Sequence, residues 1–150
     1  MRRLSPLIMI AVLTAACSVT PSDYSRFTNL PERGWAYGDT VRFTPDTIDP
    51  TSPKQLSVAV RHNNDYEYSN LWLEVTYMTA DSVTCRDTLS MELADVYGHW
   101  LGKGMGSSYQ VEAAVPGRVN LAEGSDVEIR HVMRVDTLRG IDQIGVTLNE

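Results

Sequence analysis

The stretch QLSVAVRHNNDYEYSNLWLEVTYM, from Gln55 to Met78, decides the fold class because it holds two alternating runs separated by a turn. In the first run, residues 55–61, apolar side chains occupy every second position, which is the period of a strand with one buried face. The Asn-Asn-Asp sequence at 63–65 supplies residues that favour tight turns. The second run, residues 66–78, alternates in the same way. The stretch therefore predicts two strands paired as an antiparallel hairpin.

The rest of the chain repeats this pattern on both sides of the deciding stretch. Further alternating runs occupy residues 83–93, 109–115, 127–135 and 144–148, and residues 35–43 are typical of a strand pair or an extended entry. Asp87 interrupts the apolar row of its run, which indicates a bulge or a position at a sheet rim. Short strands separated by turns predict an all-β fold, a single β-sandwich of about eight antiparallel strands of jelly-roll or immunoglobulin-like type. A partly closed barrel is the structural alternative.

Length and charge narrow the function classes. A chain of 150 residues with 43% hydrophobic residues fits one globular domain with its own core. The formal net charge of -6 argues against a nucleic-acid partner, because phosphates require a basic surface.

The N-terminal residues resemble a bacterial lipoprotein signal. Arg2 and Arg3 precede an apolar run of about ten residues, which is too short to span a bilayer, and small residues then lead to Cys17. We expect residues 1–16 to be a cleaved signal peptide and Cys17 to carry the lipid. Residues 17–33 are then a tether and residues 34–150 the sandwich domain.

Cleavage would leave a strongly acidic protein on the membrane. Loss of Arg2 and Arg3 changes the net charge from -6 to -8, so attachment must come from the acyl chains rather than from anionic headgroups. Cys85 is the remaining thiol, and we expect it to be a small buried apolar residue. Ser18 after the lipidated cysteine favours the outer membrane, with its periplasmic or surface face left open.

A glycine-rich loop, GHWLGKGMGSSY from Gly98 to Tyr109, raises the question of a phosphate cradle. A Walker loop needs Ser or Thr after its lysine and a helix behind it, whereas Lys103 is followed by glycine and an alternating strand. The glycine spacing also differs from the dinucleotide-binding fingerprint. The loop is therefore interpreted as a connection between strands, and no nucleotide or other cofactor is expected.

No spacing in the sequence indicates a catalytic or metal centre. His62, His99 and His131 lie far apart and belong to no zinc-binding motif, and His131 alternates with apolar residues as an interior or rim histidine does. A glycosidase would need two facing carboxylates, which the sequence does not identify. We expect no metal and no enzymatic activity.

The aromatic residues permit a second interpretation, because β-sandwiches bind glycans through exposed aromatic platforms. The favoured expectation is that Trp72 and Tyr77 pack between the sheets while Tyr66 and Tyr68 cover a sheet edge. Exposure of Trp72 or Trp100 on a concave face would favour a glycan-binding lipoprotein instead.

Three stretches read together resemble the GldH family of gliding-motility lipoproteins from Bacteroidota. They are VRHNNDYEYSNLWLEV at 60–75, LADVYGHWLGKGMGS at 93–107 and MRVDTLRGIDQIGVTL at 133–148, in the family's order and after a lipobox cysteine. We refer to them below as the first, second and third motif. The resemblance covers most of the chain after Cys17.

The resemblance implies a non-enzymatic envelope lipoprotein that supports the gliding apparatus and the type IX secretion machinery. Its expected partners are other envelope lipoproteins, motility and secretion proteins, and the membrane through the lipid on Cys17. The residues singled out as a candidate partner surface are Tyr66, Tyr68, Asn70, Trp72, Trp100 and Arg134.

Overall fold

A computed structural model describes residues 24–46 and 48–150, and these residues form eleven β-strands. The strands are β1 (Tyr24–Asn29), β2 (Trp35–Ala36), β3 (Val41–Phe43), β4 (Gln55–His62), β5 (Asn70–Met78), β6 (Thr84–Glu92), β7 (Lys103–Met105), β8 (Ser108–Ala114), β9 (Val127–His131), β10 (Thr137–Leu138) and β11 (Ile141–Asn149). Within the described residues, no helix has the length and apolar character needed to cross a membrane. The predicted signal peptide and Cys17 lie outside this range.

Two antiparallel sheets pack face to face, which confirms the prediction of an all-β sandwich. The larger sheet has the order β1-β11-β4-β8-β7, and the smaller has the order β3-β9-β5-β6. A two-stranded ribbon of β2 and β10 stands beside them. The strand count is eleven rather than about eight. The three further strands are β1, whose burial pattern does not alternate, and β7 and β10, which have only three and two residues.

The core lies between the inner faces of the two sheets. The larger sheet supplies Leu56, Val58, Val60, Ile144, Val146 and Leu148, and the smaller sheet supplies Leu71, Leu73, Val75, Leu89, Met91, Val127 and Ile129. All of them are buried and occupy alternate positions of their strands. The alternation in the sequence therefore identified the inner faces correctly. Burial of these side chains is the main favourable contribution to folding.

The predicted hairpin between the two runs of the deciding stretch is wrong. β4 pairs with β11 and β8 in the larger sheet, whereas β5 pairs with β6 and β9 in the smaller one. Residues 63–69, which we call the crossing segment, carry the chain from one sheet to the other. Tyr66 is 3% exposed, and its hydroxyl donates a hydrogen bond of 2.7 Å to the backbone oxygen of Asn70. These contacts fix the segment across one end of the sandwich, so it does not extend β5.

The hairpin that does form joins β5 to β6, and it accounts for the misplaced Asp87. The two strands pair without a register shift from Asn70 opposite Glu92 to Met78 opposite Thr84. β6 is the outer strand of its sheet, and Asp87 accepts a 2.7 Å hydrogen bond from the Tyr77 hydroxyl. Asp87 is therefore a rim residue rather than the site of a bulge.

β1 falls within the segment predicted as the tether, and this part of the prediction needs correction. Residues 24–29 pair with β11 over six positions, from Tyr24 opposite Leu148 to Asn29 opposite Gln143. This strand is not predicted from the sequence, because its two apolar residues, Tyr24 and Phe27, are three positions apart and do not alternate with polar ones. The folded domain therefore includes at least the residues from Tyr24 onwards.

The direction of β1 gives the sandwich two distinct ends. We call the end near Tyr24 the proximal end, because the chain enters the fold there, and the end near Asn29 the distal end. β4 ends distally, with His62 opposite Ile141, and its eight residues separate the two ends by about 24 Å.

Candidate interaction surface at the distal end of the sandwich

The three sequence motifs meet at the distal end, although they are far apart in the chain. The crossing segment belongs to the first motif. Its Asn63 forms two hydrogen bonds to residues of the third motif. The backbone nitrogen of Asn63 donates to the Gly140 oxygen at 2.9 Å, and the Asn63 side chain donates to Asp142 at 2.7 Å. The Asn63 side-chain oxygen also accepts the amide of Asp65 at 2.8 Å, as in an Asx turn.

Trp100 joins the second motif to the first. Its indole nitrogen donates a 3.0 Å hydrogen bond to the Asn64 side chain, and its ring meets His62 edge to face at a centroid distance of 4.7 Å. Trp100 is half-buried against the core. It is thus neither a core residue nor a free platform, but a lid over the distal end of β4.

His62 is fully buried beneath this lid. Its ring stacks on Tyr109 at 5.5 Å, and Nδ1 lies 3.3 Å from the backbone oxygen of Asn63, which can only accept, so Nδ1 carries the proton. Nε2 has no hydrogen-bond partner among residues 24–46 and 48–150. Burial lowers the pKa of His62 below its usual value near 6.5, so the imidazole is neutral at pH 7.

His131 occupies an equivalent buried position on the smaller sheet. Its Nε2 donates to the backbone oxygen of Trp35 at 3.1 Å, and its ring packs edge to face on Trp35 and Tyr37. Burial again lowers the pKa of His131. The sequence prediction of an interior histidine is confirmed for this residue.

A short turn projects from the distal end between β6 and β7, and we call residues 95–99 the tip loop. The Asp95 carboxylate accepts the backbone amides of Tyr97 and His99 at 2.8 and 2.9 Å and contacts His99 Nδ1 at 3.1 Å. Hydrogen bonding from the His99 amide lowers the pKa of Asp95, which stays charged. The turn is therefore tied internally, while its tip presents Val96 at 93% and Tyr97 at 82% exposure.

The crossing segment separates the tip loop from a recess. On the side of the tip loop, the Asn64 side chain accepts a hydrogen bond from Trp100, and the Ser69 backbone oxygen accepts hydrogen bonds from the amides of Leu93 and Ala94. On the other side, a recess of about 720 Å³ is lined by polar and charged residues. Its ionisable residues are Glu32, Asp65, Glu67, Arg139 and Asp142, four acidic and one basic, and we call it the acidic recess.

The outer face of the smaller sheet carries a separate charged row. Arg130 donates to Glu74 at 2.8 Å, Arg86 lies 3.6 Å from the same carboxylate oxygen, and Arg42 pairs with Glu128 at 2.7 Å. The hydrogen bond from Arg130 lowers the pKa of Glu74. A carboxylate held ionised in this way is a poor general acid.

The candidate partner residues named from the sequence do not form one surface. Tyr66 is buried, Tyr68, Asn70 and Trp100 are half-buried, and Arg134 is exposed. Trp72 lies on the outer face of β5 at 42% exposure and not between the sheets, whereas Tyr77 is buried as expected. Cys85 is half-buried and unpaired, so it is less enclosed than expected. Cys17 lies outside the described residues.

Val96 and Tyr97 were missed by the sequence reasoning. Both lie within the second motif, and the pattern Asp-x-x-Gly at 95–98 is typical of a tight turn. Two large apolar residues at the centre of such a turn were the available signal. No group of three His, Cys, Asp or Glu side chains suited to a metal ion occurs in the part of the chain that the structure describes.

The family assignment follows from residues 22–148, which match the family model described as GldH lipoprotein. The chain belongs to the GldH lipoprotein family. All three motifs fall inside the matched range, so the resemblance drawn from them is confirmed, while Cys17 precedes it.

Two curated relatives agree with this family assignment. The Gliding motility lipoprotein GldH homolog of Christiangramia forsetii is 29% identical over 136 residues, covering 85% of this chain and 83% of the relative. The Gliding motility lipoprotein GldH of Flavobacterium johnsoniae is 27% identical over 123 residues, covering 77% of each chain.

Among solved structures, the chain is similar to uncharacterized protein lmo2446 from Listeria monocytogenes EGD-e. The sequence identity is 16% and the TM-score 0.43, and the match covers 83% of this chain but 11% of that one.

Proposed function

We propose that this GldH-family protein is a lipid-anchored envelope protein that supports the gliding-motility machinery, and the type IX secretion machinery coupled to it, through protein contacts. The observation that carries the proposal is the family match over residues 22–148, together with two relatives named for gliding motility. Its partners are other envelope lipoproteins and motility or secretion proteins.

The side chains favour a role in contact over a role in catalysis. His62 and His131 are buried with lowered pKa values, so neither reaches a substrate as a proton carrier. Glu74 is tied to Arg130, and the Asp95 carboxylate is occupied by backbone amides. These contacts hold Glu74 and Asp95 as ionised carboxylates, which are poor general acids.

Membrane attachment is assigned to Cys17. β1 begins at Tyr24, so six residues lie between Cys17 and this strand in the sequence. Seven extended steps reach at most about 25 Å, which holds the proximal end close to the bilayer. The outer membrane is the proposed location.

A deletion strain tests the functional proposal. Removal of the gene should reduce colony spreading or the amount of protein secreted to the medium, and the intact gene should restore both. Unchanged spreading and secretion in a clean deletion would contradict the proposal.

Metabolic labelling tests the anchor independently. Wild-type protein should incorporate a palmitate analogue, and Cys17→Ala should not, whereas Cys85→Ala should label like wild type and serves as the matched control. Equal labelling of Cys17→Ala and wild type would show that the lipid lies elsewhere.

Exposure of Trp72 supports a second candidate function, a glycan-binding lipoprotein at the outer membrane. Trp72 is 42% exposed on the face that also carries Glu74 and Arg130. An exposed indole beside charged groups can stack on a sugar ring. Titration calorimetry against a polysaccharide panel should then show binding that Trp72→Ala abolishes and Met78→Ala keeps. An absence of heat with the wild-type protein would eliminate this candidate.

A further inference from the structure

Val96 and Tyr97 are the most exposed large apolar residues of the described chain, and they stand side by side. Tyrosine is among the residues that contribute most binding energy when a partner covers them, and Val96 enlarges the apolar area beside Tyr97. The tip loop is already fixed by the Asp95 carboxylate, so ordering it on binding costs little conformational entropy. The loop is thus preorganised to present the two side chains.

The position of the loop argues against the anchoring bilayer as its occupant. The tip loop lies at the distal end, whereas β1 enters at the proximal end about 24 Å away. Under the anchor assignment of the proposed function, the loop would reach the membrane that holds the protein only if the domain inverted on a fully extended tether. The acidic net charge also opposes contact with anionic headgroups.

Charge around the loop indicates the chemistry of the partner. The crossing segment has the tip loop on one side and the acidic recess on the other, so a single partner surface can cover both. Asp65 and Glu67 in the recess are exposed, as is Glu92 at the base of the tip loop. The recess holds four acidic residues against the single basic residue Arg139, so its net charge favours a partner that brings positive charge to it.

We propose that the distal end docks a second protein that receives Val96 and Tyr97 in an apolar pocket and places Lys or Arg side chains in the acidic recess. This inference rests on the proposed function and adds the surface through which contact is made. The tip loop supplies affinity, and the recess supplies orientation and rate of association.

Complementation of the deletion strain tests the apolar half of the proposal. Val96→Ser combined with Tyr97→Ser should fold and take up lipid like wild type but fail to restore spreading or secretion. Val83→Ser is the matched control, because Val83 is 51% exposed at the proximal end. Full restoration by the double variant would overturn the inference while leaving the proposed function intact, and a deletion without phenotype would overturn the function itself.

Photo-crosslinking in intact cells tests the partner and the charged half. A photoreactive phenylalanine at position 97 should give one protein adduct of defined mass, and the same residue at position 83 should not. Glu67→Lys should reduce the adduct at position 97 at least fivefold, whereas Glu123→Lys at the proximal end should not. Adducts of equal yield at both positions, an adduct with lipid alone, or insensitivity to Glu67→Lys would each contradict the inference.

Discussion

At the residue scale, Gly140 controls how closely the third motif approaches the first. It has φ +81°, and a Cβ there would lie 2.3 Å from the Tyr66 backbone nitrogen and 2.6 Å from the Tyr66 Cα. Only glycine allows this approach, because the obstruction is backbone and cannot rotate away. The hydrogen bond from Asn63 to the Gly140 oxygen depends on the same closeness.

Substitution of Gly140 by alanine should therefore destabilise the domain by about 3–5 kcal/mol, from left-handed strain plus the collision with Tyr66. Gly124→Ala is the matched control, since Gly124 has φ +67° but nothing within 4 Å of an added Cβ. It should cost only the strain, about 1–2 kcal/mol. Urea unfolding of both variants measures the difference, and equal losses would contradict the close approach.

The two buried histidines give the fold a pH dependence. Their pKa values are lowered in the folded state by burial, so the unfolded chain binds more protons as the pH falls below about 6.5. Stability contributed by each neutral ring is therefore present above that pH and is lost progressively below it. At pH 5.5, proton uptake by each histidine in the unfolded chain can lower the free energy of unfolding by at most about 1.4 kcal/mol.

Unfolding measured at pH 7.5 and 5.5 checks this effect. His62→Phe should lose less stability than wild type between the two pH values, because it has one buried imidazole fewer to protonate on unfolding. An identical pH response of His62→Phe and wild type would mean that His62 is not held neutral.

At the element scale, β1 is attached by its side chains as well as by its backbone. Phe27 lies over Gly145, where an added Cβ would meet the ring at 2.6 Å, and the Arg61 guanidinium stands 3.9 Å from the ring centroid. Arg61 is oriented by Gln110 and Gln143, at 2.8 and 2.6 Å. β1, β11, β4 and β8 are thus connected across the outer face of the larger sheet.

Phe27→Ala should cost about 1–3 kcal/mol, and a double-mutant cycle with Arg61→Ala should give a coupling energy of about 0.5–1 kcal/mol. Thr28→Ala, on the neighbouring exposed position, should change stability by less than about 0.5 kcal/mol. Additive effects of Phe27→Ala and Arg61→Ala would show that the ring and the guanidinium do not interact.

The elements that the sequence predicted well are those with one buried face. The runs at 55–61 and 83–93 became β4 and β6 with nearly the same limits, since alternate burial leaves a period of two. The pairing partners of β4 and β5 could not be predicted from the sequence, because a hairpin and a crossing between sheets both require only a turn after β4. The crossing is held in place by contacts distant in sequence, such as the close approach of Gly140 to Tyr66, which lies about seventy residues earlier in the chain.

At the scale of the whole molecule, the site was only partly predictable. The three motifs were recognised as belonging together, and the structure brings them to one end, but the exposed residues differ from the aromatic residues chosen from the sequence. Tyr66 and Trp100 mostly fill the end of the sandwich, whereas Val96 and Tyr97 remain outside it. Aromatic residues in a sequence indicate where side chains pack densely. Which apolar side chains stay exposed depends on the tertiary fold.

The antiparallel pairing of β1 with β11 also determines how the protein responds to mechanical force. A pull between the anchor and the distal surface acts along β1, so its six residue pairs are sheared together. A pull between Tyr24 and Asn149, which lie at the same end, opens the pairs one after another. Single-molecule stretching between residues 24 and 97 should therefore require a clearly higher unfolding force than stretching between residues 24 and 149. Similar forces in the two geometries would be inconsistent with this, and a higher force in the first would show that the domain resists load applied along β1.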